Sequence, residues 1–431
     1  MATQDTLTGA WLRRPAPAAD ALADEAVAVV LAGGKGTRLG ALTRRICKPA
    51  LPFGAAYRSI DFALANCVNS GINRVGVATQ HRPDALLSHL DRVWRDFGTE
   101  PGHFIRAWPS QQRAPGLGYS GTADAVYRNL DVIEALGRRL VLVLAGDHVY
   151  QMDYRPMLEQ HCESGAPVTI GCVPVPIEEA HEFGVLSVDR RDRIERFVEK
   201  PKTVAAIPGR AGTHVLASMG IYVFDAEFLA RALRLDAAAA SSRHDFGGDV
   251  LPRVIREAEA FAYPFRAADG VQPAYWRDIG TITAYWRAHM ELLGSSPRAS
   301  LNDPNWPLPT AEAAPQLIAH RNDARGRGTI ENSLVAAGCS VSGTVRHSVL
   351  FGGVEVRRGA EIVDSVVLPG AVIGRGCRLR GVVVDSGHAI ADGTRIDQSA
   401  SGTVPRDRLQ PAVLAVEEGN GAWAHAACAI A

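Results

Sequence analysis

Apolar runs and helix-type segments alternate along the first two thirds of the chain. AVAVVLA (26–32) and LVLVLA (140–145) are continuous apolar runs of strand length, and a glycine follows each of them. In SIDFALANCVNSG (59–71) the apolar residues instead recur every three or four positions, which indicates an amphipathic helix. Buried strands that alternate with such helices predict an α/β fold with a mostly parallel, doubly wound sheet. Ligands of these sheets bind beyond the carboxyl ends of the strands.

A second set of strand-type segments follows, with shorter spacing and more turn residues. These segments are PVTIGCVPV (167–175), GVLSVD (184–189), RIERFVEK (193–200) and MGIYVFD (219–225). Their pattern predicts a mixed or antiparallel extension of the sheet that walls a pocket.

Composition shifts divide the rest of the chain. Residues 1–25 are rich in Ala and Pro and are expected to form a loose arm, and the α/β domain spans 26–293. An irregular stretch over 294–325 predicts a linker. A repeat region over 326–400 follows, and 401–431 forms a C-terminal tail.

Aliphatic residues recur in the repeat region with a period that helices and ordinary strands do not show. Three triplets have members six residues apart, and each triplet is displaced by 17 residues from the one before: Leu350, Val356 and Ile362; Val367, Ile373 and Leu379; Val384, Ile390 and Ile396. Val335 and Val341 fit an earlier, shorter coil. Three hexapeptides per turn, each with one inward aliphatic, predict a parallel β-helix of triangular cross-section.

Charge and cysteine content narrow the class of protein. Lys plus Arg and Asp plus Glu both number 46, which argues against a broad nucleic-acid or membrane-binding face. The seven cysteines show no C-x-x-C spacing and are expected to be thiols of a reducing, cytoplasmic environment. No apolar run approaches the roughly 20 residues of a membrane helix.

The stretch LAGGKGTRLG (31–40) is a glycine-rich loop at a strand end. Its spacing fits neither the Walker loop nor the dinucleotide fingerprint. Glycines let backbone N–H groups surround phosphate oxygens, and Lys35 and Arg38 add positive charge. The guanidinium of Arg38 suits bidentate phosphate binding. The loop therefore predicts a phosphate site.

Two acidic residues are candidates for a metal site. Asp147 follows the buried run 140–145, and Asp278 lies in YWRDIGT (275–281) between aromatic residues and a glycine. Two carboxylates beside a phosphate loop would suit Mg²⁺, which binds through one or two carboxylates plus phosphate oxygens. A helix-capping role for Asp147 remains the alternative.

FVEKP (197–201) admits two interpretations. Glu199 and Lys200 end a strand, so they are expected to point to opposite faces. A surface ion pair is the usual fate of such residues. Alternatively, Lys200 anchors a phosphate and Glu199 accepts hydrogen bonds from hydroxyl groups.

With these motifs assembled, the chain resembles the bacterial glucose-1-phosphate adenylyltransferase family from about residue 26 to about residue 400. The resemblance is carried by LAGGKGTRL, CKPALPFG, YRSIDFALANCVNSGI, GTADAV, LAGDHVYQMDY, PVPIEEAHEFGV, FVEKP, SMGIYVFD, HDFGGDVLP and AYWRDIGT. It implies a Rossmann-like nucleotidyltransferase domain with a mostly parallel mixed sheet, followed by a left-handed parallel β-helix.

The resemblance also implies the reaction of ATP with glucose 1-phosphate to give ADP-glucose and pyrophosphate for glycogen synthesis. Arg38, Asp147 and Lys48 would be catalytic, and Asp147 and Asp278 would hold Mg²⁺. Glucose 1-phosphate would contact Glu199, Lys200 and Ser218. The implied ATP contacts are Gly33, Gly34, Gly36, Thr37, Tyr119, Gly121 and Thr122.

Members of this family form homotetramers and respond to allosteric metabolites, and the chain departs from their pattern at several positions. Gly40 stands where many relatives have lysine, Ile46 replaces an arginine and Gly118 replaces a tryptophan. Lys35 replaces an arginine and keeps the charge. We expect altered or weakened activation by sugar phosphates.

Two rival functions remain open. A sister enzyme would use another nucleoside triphosphate or carry an acyltransferase on the β-helix, but His347 and His388 are expected to be solvated turn residues. A non-catalytic regulatory homologue is disfavoured because Asp147, Lys200 and Asp278 are all present.

Overall fold

The computed structural model describes most of the chain. The described residues are 18–98, 100–113, 118–208, 212–267, 274–294, 301–311, 314–322, 328–398, 410–415 and 424–426. Residues 1–17 of the expected arm, parts of the expected linker and most of the expected tail lie outside them.

The N-terminal two thirds form an α/β domain around one large mixed sheet. Its helices are α1 (Ala18–Asp24), α2 (Ser59–Asn69), α3 (Asp84–Val93), α4 (Ser110–Arg113), α5 (Thr122–Tyr127), α6 (Leu130–Ala135), α7 (Arg155–Ser164), α8 (Ala226–Ala237), α9 (Leu251–Glu257) and α10 (Ile282–Glu291). Its strands are β1 (Ala26–Ala32), β2 (Pro52–Phe53), β3 (Tyr57–Arg58), β4 (Arg74–Thr79), β5 (Phe104–Pro109), β6 (Leu140–Ala145), β7 (His148–Tyr150), β8 (Val168–Pro176), β9 (Gly184–Val188), β10 (Ile194–Glu199), β11 (His214–Asp225), β12 (Ala260–Pro264) and β13 (Trp276–Asp278).

The main sheet runs in the order β10-β9-β11-β6-β1-β4-β5; β8 also pairs with β11, and β12 pairs with β8. β6, β1, β4 and β5 are parallel, whereas β11 joins β6 in antiparallel orientation. Continuous burial of β1 and β6 explains their uninterrupted apolar sequences, because helices cover both faces of the sheet. The predicted α/β class with an antiparallel extension is confirmed.

The C-terminal third is a parallel β-helix, which confirms the prediction from the 17-residue period. Leu350 pairs with Val367, Val356 with Ile373, and Ile362 with Leu379. Its strands are β14 (Gln316–Asn322), β15 (Thr329–Val335), β16 (Ser340–Val341), β17 (Thr344–Arg346), β18 (Val349–Leu350), β19 (Glu355–Val356), β20 (Glu361–Val363), β21 (Val366–Val367), β22 (Val372–Ile373), β23 (Arg378–Arg380), β24 (Val382–Val384), β25 (Ala389–Ile390), β26 (Arg395–Asp397), β27 (Ala412–Ala415) and β28 (Ala424–Ala426).

A buried serine ladder runs along one corner of the β-helix. The backbone N–H of Ser348 donates to Oγ of Ser333, and that of Ser365 donates to Oγ of Ser348, each over 3.1 Å. Each serine follows a residue with positive φ, which turns the chain sharply enough to hide the hydroxyl. The ladder therefore supplies partners for backbone groups that the corner removes from strand pairing.

Helix α10 joins the two parts of the molecule. The indole N–H of Trp286 donates to the carbonyl of Asp364 over 2.7 Å, and the Tyr285 hydroxyl donates to the carbonyl of Pro52 over 2.6 Å. Both side chains are buried. The β-helix is thus packed directly against the α/β domain.

Two segments differ from the sequence-based expectation. Residues 18–24, expected within a loose arm, form α1, whose Ala23 is fully buried and whose Asp24 accepts from Arg74 over 2.7 Å. Residues 316–322, expected within a linker, form β14 and pair antiparallel with β15. Asp24 of α1 finds its partner in the distant Arg74, and β14 pairs with the next strand along the chain; the composition of neither segment reveals these contacts. Within the described residues, no helix has the length and apolarity to cross a membrane.

Candidate active site

A short two-stranded ribbon brings the two candidate metal ligands together. β7 and β13 pair antiparallel, with His148 directly opposite Asp278. Asp147 immediately precedes β7, so its carboxylate and that of Asp278 meet at the carboxyl end of β6. The ring of Trp276 packs against the rings of His148 and Phe183 beneath this ribbon. The predicted pairing of Asp147 with Asp278 therefore matches the geometry.

Lys48 lies between these carboxylates. Its Nζ is 2.9 Å from Asp147 Oδ2 and 2.6 Å from Asp278 Oδ1, and its side chain is 8% exposed. Burial alone would lower the pKa of Lys48, but the charges of both aspartates outweigh it and raise that pKa. Burial also opposes ionisation of Asp147, yet the Lys48 charge keeps the pKa of that carboxyl below its usual range. Lys48 and Asp147 therefore both carry their charge near neutral pH.

The glycine loop lies beside this cluster, because β1 and β6 are neighbours with Leu31 opposite Ala145. Gly36 adopts a left-handed conformation (φ 64°) and begins a 3₁₀ turn over Thr37–Thr43. A side chain at Gly34 would meet no atom within 4 Å, whereas one at Gly33 would press on Gln80. Gly34 thus leaves open space in front of the loop, as phosphate approach requires.

Arg38 extends from this loop across the mouth of the site. Its Nη1 forms an ion pair with Oε2 of Glu182, and its Nη2 lies 3.6 Å from Asp278 Oδ2. Half of the Arg38 side chain is exposed. Two cations, Arg38 and Lys48, therefore stand over the carboxylate pair, an arrangement suited to a metal-bound polyphosphate.

Comparisons with known proteins agree with this geometry. Residues 27–295 match the nucleotidyl transferase family model, and residues 314–403 match the GlmU-like C-terminal hexapeptide model. The chain is 46% identical to the glucose-1-phosphate adenylyltransferase of Methylococcus capsulatus, over 90% of this chain and 92% of that protein. It is 47% identical to the enzyme of the same name from Paraburkholderia phytofirmans, over 86% of this chain and 90% of that protein.

The glucose-1-phosphate adenylyltransferase 2 of Alkalilimnicola ehrlichii is 46% identical over 89% of this chain and 91% of its own length. This chain belongs to the glucose-1-phosphate adenylyltransferase family. As in other nucleotidyltransferases of this kind, a divalent metal is typical of the reaction.

Asp147 and Asp278 are the residues that fit such a metal in this adenylyltransferase. Among the described residues, no three or more His, Cys, Asp or Glu side chains are grouped to bind a metal ion. Two carboxylates completed by substrate phosphates suit a hard divalent cation, which keeps several non-protein ligands. The donor set therefore fits a metal that is shared with the substrate.

Glu199 and Lys200 form a second cluster. Lys200 follows the last residue of β10 and has a positive φ of 44°. Its Nζ lies 2.9 Å from Oε1 of Glu199, so the prediction that the two side chains point to opposite faces is wrong. A Cβ on Gly247 would lie 2.4 Å from the Glu199 carboxylate, and one on Gly184 would lie 2.8 Å from it. These two glycines leave room for the carboxylate.

Ser218 is placed near this second cluster by β11. It is buried, and its hydroxyl lies 3.4 Å from that of Tyr222. Burial raises the pKa of Tyr222, and the Glu199 charge raises it further. The next residue on β11, Met219, accepts a 3.0 Å hydrogen bond from His148 through its carbonyl. β11 therefore links the Glu199 cluster to the aspartate cluster.

The hydroxyls of the predicted nucleotide residues Tyr119 and Thr122 are both hydrogen-bonded within the protein; Tyr119 is buried and Thr122 is exposed. The Tyr119 hydroxyl donates to the carbonyl of Trp108 over 3.0 Å. The Thr122 hydroxyl donates to Asp245 Oδ1 over 2.8 Å and accepts from the N–H of Phe246. A Cβ on Gly121 would lie 2.3 Å from the carbonyl oxygen of His244. Gly121 and Thr122 therefore hold the loop against the HDFGGD segment, and the Tyr119 hydroxyl ties it to β5.

Sequence reasoning did not assign roles to Glu182, His148 or Asp245. His148 and Asp245 lie within strings that carry the family resemblance, GDHVY and HDFGGD, so a signal was present. Glu182 belongs to PVPIEEAHEFGV, where three acidic residues occur close together and no pattern separates them. The expectation of solvated histidines in the β-helix is wrong. His388 is buried, and Nδ1 of His347 lies 2.9 Å from the Asp364 carboxylate.

Proposed function

We propose that this protein makes ADP-glucose and pyrophosphate from ATP and glucose 1-phosphate, supplying a glucosyl donor for glycogen synthesis. The observation that carries the proposal is the convergence of Lys48, Asp147 and Asp278 beside the glycine loop. Family membership supports the choice of ATP and glucose 1-phosphate over other nucleotides and sugars.

The reaction needs no protein nucleophile. A phosphate oxygen of glucose 1-phosphate attacks the α-phosphorus of ATP in line, a new P–O bond forms, and pyrophosphate departs. The protein contributes orientation and positive charge where negative charge develops. Lys48 and Arg38 would neutralise the departing pyrophosphate.

We assign Mg²⁺ to Asp147 and Asp278. When bound, the metal supplies Lewis-acid charge that stabilises the transferring phosphoryl group. The two aspartates would hold and orient the cation, and the Lys48 ammonium between them draws both carboxylates together.

The ATP phosphates are assigned to the loop containing Gly33, Gly34, Gly36, Thr37 and Arg38. Tyr119, Gly121 and Thr122 are proposed to shape the adenosine side through their backbone, since the hydroxyls of Tyr119 and Thr122 are engaged elsewhere. Glu199, Lys200 and Ser218 are assigned to glucose 1-phosphate. The side chain of Lys200 is 58% exposed beside Glu199, so it is available to a sugar phosphate.

We propose that metabolites regulate this protein and that its activation by sugar phosphates is weakened. A cavity of about 190 Å³ lies between residues 41–46 and the β-helix, with Arg44, Arg45 and His388 in its lining. Gly40 precedes it with φ 54° and ψ −119°, a conformation that residues with side chains rarely adopt. The lysine of many relatives would be strained in this backbone. Rates with and without fructose 1,6-bisphosphate and pyruvate test this; a large activation by the bisphosphate contradicts it.

A homotetramer is proposed from the family pattern. Leu317 is 48% exposed on β14, which pairs with β15 alone among the described strands. An exposed apolar residue on an open strand edge favours association. Light-scattering mass of the purified protein tests the proposal, and a monomeric mass contradicts it.

One pyrophosphorolysis assay tests the proposed reaction. Purified protein is given ADP-glucose or UDP-glucose, each with pyrophosphate, in the presence and absence of Mg²⁺. We expect nucleoside triphosphate release from ADP-glucose only when Mg²⁺ is present. Turnover of UDP-glucose alone would overturn the substrate assignment, and no turnover of either would support a regulatory homologue.

A further inference from the structure

Glu182 lies at the mouth of the active site. It ends the 3₁₀ turn Ile177–Glu182, which follows β8 and leads through Phe183 into β9. Its Oε2 is ion-paired with Nη1 of Arg38, although 144 positions separate the two residues. The other oxygen, Oε1, lies 3.8 Å from Nε2 of the exposed His181. Arg38 is therefore the strong partner of this carboxylate.

The ion pair sets the position of the Arg38 guanidinium. One edge of that group faces Glu182, and its Nη2 lies 3.6 Å from Asp278 Oδ2. Nη2 also lies 2.7 Å from the position that a Cβ on Gly280 would take. The guanidinium is thus suspended between two carboxylates, with the Gly280 backbone close by.

The five charged groups around the site differ in how they can respond to an anion. Lys48 is buried and held by Asp147 and Asp278, so two of its three N–H donors are already engaged and its position is fixed. Arg38 is half exposed, and its partner Glu182 is 32% exposed. The Arg38 N–H groups that point at Glu182 cannot at the same time point at phosphate oxygens, because the guanidinium is planar and rigid.

We propose that Glu182 is a positioning residue that holds the Arg38 guanidinium across the mouth and competes with the phosphates of the nucleotide for it. The inference rests on the proposed function of Arg38 as a ligand of the ATP phosphates. Binding of ATP exchanges one carboxylate partner of Arg38 for phosphate oxygens. Glu182 consequently weakens ATP binding while it keeps the guanidinium near its working position.

The exposure of the pair sets the size of the effect. Ion pairs between partly exposed side chains contribute little, since water screens both charges. Removing the Glu182 charge is therefore expected to tighten ATP binding by about two- to fivefold. If Glu182 were instead a catalytic or metal-binding carboxylate, removing its charge would lower activity, and by several orders of magnitude.

The experiment compares Glu182→Gln with Glu178→Gln. Glu178 lies on the same turn, is exposed and lies outside the Arg38 contact, so its variant makes the same charge change. Calorimetry with ATP and Mg²⁺, without the sugar phosphate, gives Kd; steady-state rates give KM and kcat. For Glu182→Gln we expect Kd and KM for ATP to fall about two- to fivefold, with kcat altered much less. Tripolyphosphate should bind more tightly by a similar factor, and Glu178→Gln should match the parent.

Equal or weaker ATP binding by Glu182→Gln would overturn the inference. A rise in KM for glucose 1-phosphate alone would also overturn it and place Glu182 on the sugar side. The same measurement is repeated in the Arg38→Gln background, where adding Glu182→Gln should leave the Kd for ATP unchanged. If Glu182→Gln still tightens ATP binding in the Arg38→Gln background, the effect comes from the negative charge of Glu182 acting directly on ATP. It then does not come from the contact with Arg38, and the inference fails.

The single variant Arg38→Gln distinguishes failure of the inference about Glu182 from failure of the proposed function of Arg38. Weaker ATP binding in Arg38→Gln, with no change in Glu182→Gln, removes the role of Glu182 and leaves the proposed function standing. Unchanged ATP binding in Arg38→Gln removes the assigned role of Arg38, and the inference about Glu182 falls with it.

Discussion

Nζ of Lys48 lies 2.6 Å from Oδ1 of Asp278, although the two residues are 230 positions apart. Lys48 begins a 3₁₀ turn after the glycine loop, and Asp278 ends a three-residue strand just before α10. Their contact closes the α/β domain around the site. It also places the charge of Lys48 between two carboxylates, where it offsets their mutual repulsion.

Replacing Lys48 by Met keeps an unbranched side chain and removes this charge. We expect kcat to fall by about 10²–10³-fold, the loss typical of removing one preorganised donor. Asp147 and Asp278 would then repel each other, so the variant should also unfold at lower urea concentration. Lys202→Met, at an exposed position of the same charge, is the control. A kcat within threefold of the parent would contradict the role of Lys48.

Asp147→Asn keeps the size of the side chain and removes one carboxylate from the metal pair. We expect a loss of several kcal/mol of transition-state stabilisation, measured as the fall in kcat/KM. The Mg²⁺ concentration for half-maximal rate should rise as well, because a carboxylate is a stronger ligand than an amide. Asp91→Asn, in an exposed pair with Arg95, is the control. An unchanged Mg²⁺ requirement would argue that Asp147 has only a capping role.

Gly247→Ala tests the proposed sugar site without replacing a charged residue. The new Cβ would lie 2.4 Å from Oε2 of Glu199, so the carboxylate must move. We expect KM for glucose 1-phosphate to rise by about 10-fold or more, since misplacing a binding group by about 1 Å is costly. Gly248→Ala is matched, because the closest neighbour of its Cβ would be the far end of the exposed Arg243 side chain. Equal effects of both variants on KM would count against the assignment.

The pH dependence of stability should reflect His289. This side chain is fully buried, accepts from the N–H of Gly54 and donates to the carbonyl of Tyr285. Burial lowers its pKa to about 4, although the bond to Tyr285 acts in the opposite direction. The unfolded chain therefore binds a proton more readily than the folded protein. The contribution of His289 to the free energy of unfolding is fully present above about pH 6.5. It is lost as the pH falls towards 4, and the loss amounts to up to about 3 kcal/mol.

Urea unfolding between pH 7 and pH 4 measures this contribution. His289→Asn should be less stable at pH 7 but should lose less stability on acidification than the parent. His320→Asn, at an exposed position on β14, should retain the parent slope. Identical slopes for His289→Asn and the parent would show that His289 is not the group responsible.

The serine ladder should be important for the stability of the β-helix. In Ser348→Ala the buried N–H of Ser365 loses its acceptor, and the carbonyl of Arg346 loses a donor. We expect the free energy of unfolding to fall by about 1–3 kcal/mol, the cost of an unsatisfied buried group. Ser340→Ala, at an exposed position on β16, should change it by less than about 0.5 kcal/mol. Thermal or urea unfolding distinguishes these outcomes.

Much of the architecture follows from local sequence patterns. The uninterrupted apolar runs at 26–32 and 140–145 specified buried parallel strands, because only a sheet covered on both faces accommodates them. The 17-residue displacement of Leu350, Val367 and Val384 specified the coil register, since each coil must place an aliphatic side chain on the one below. Spacing in the glycine loop likewise excluded the Walker loop and the dinucleotide fingerprint, because both motifs need their glycines at other positions.

Contacts between distant segments required the tertiary structure. Lys200 meets Glu199 with a positive φ in its backbone, which the neighbouring residues in the sequence do not reveal. The partners of Tyr119 and Thr122, and the ion pair of Arg38 with Glu182, join segments far apart in the chain. Periodicity reports which face of an element is buried, whereas side-chain partners depend on how the elements pack. The sequence alone therefore determined the fold class, the β-helix register and the candidate residues, and the packing decided which of them meet.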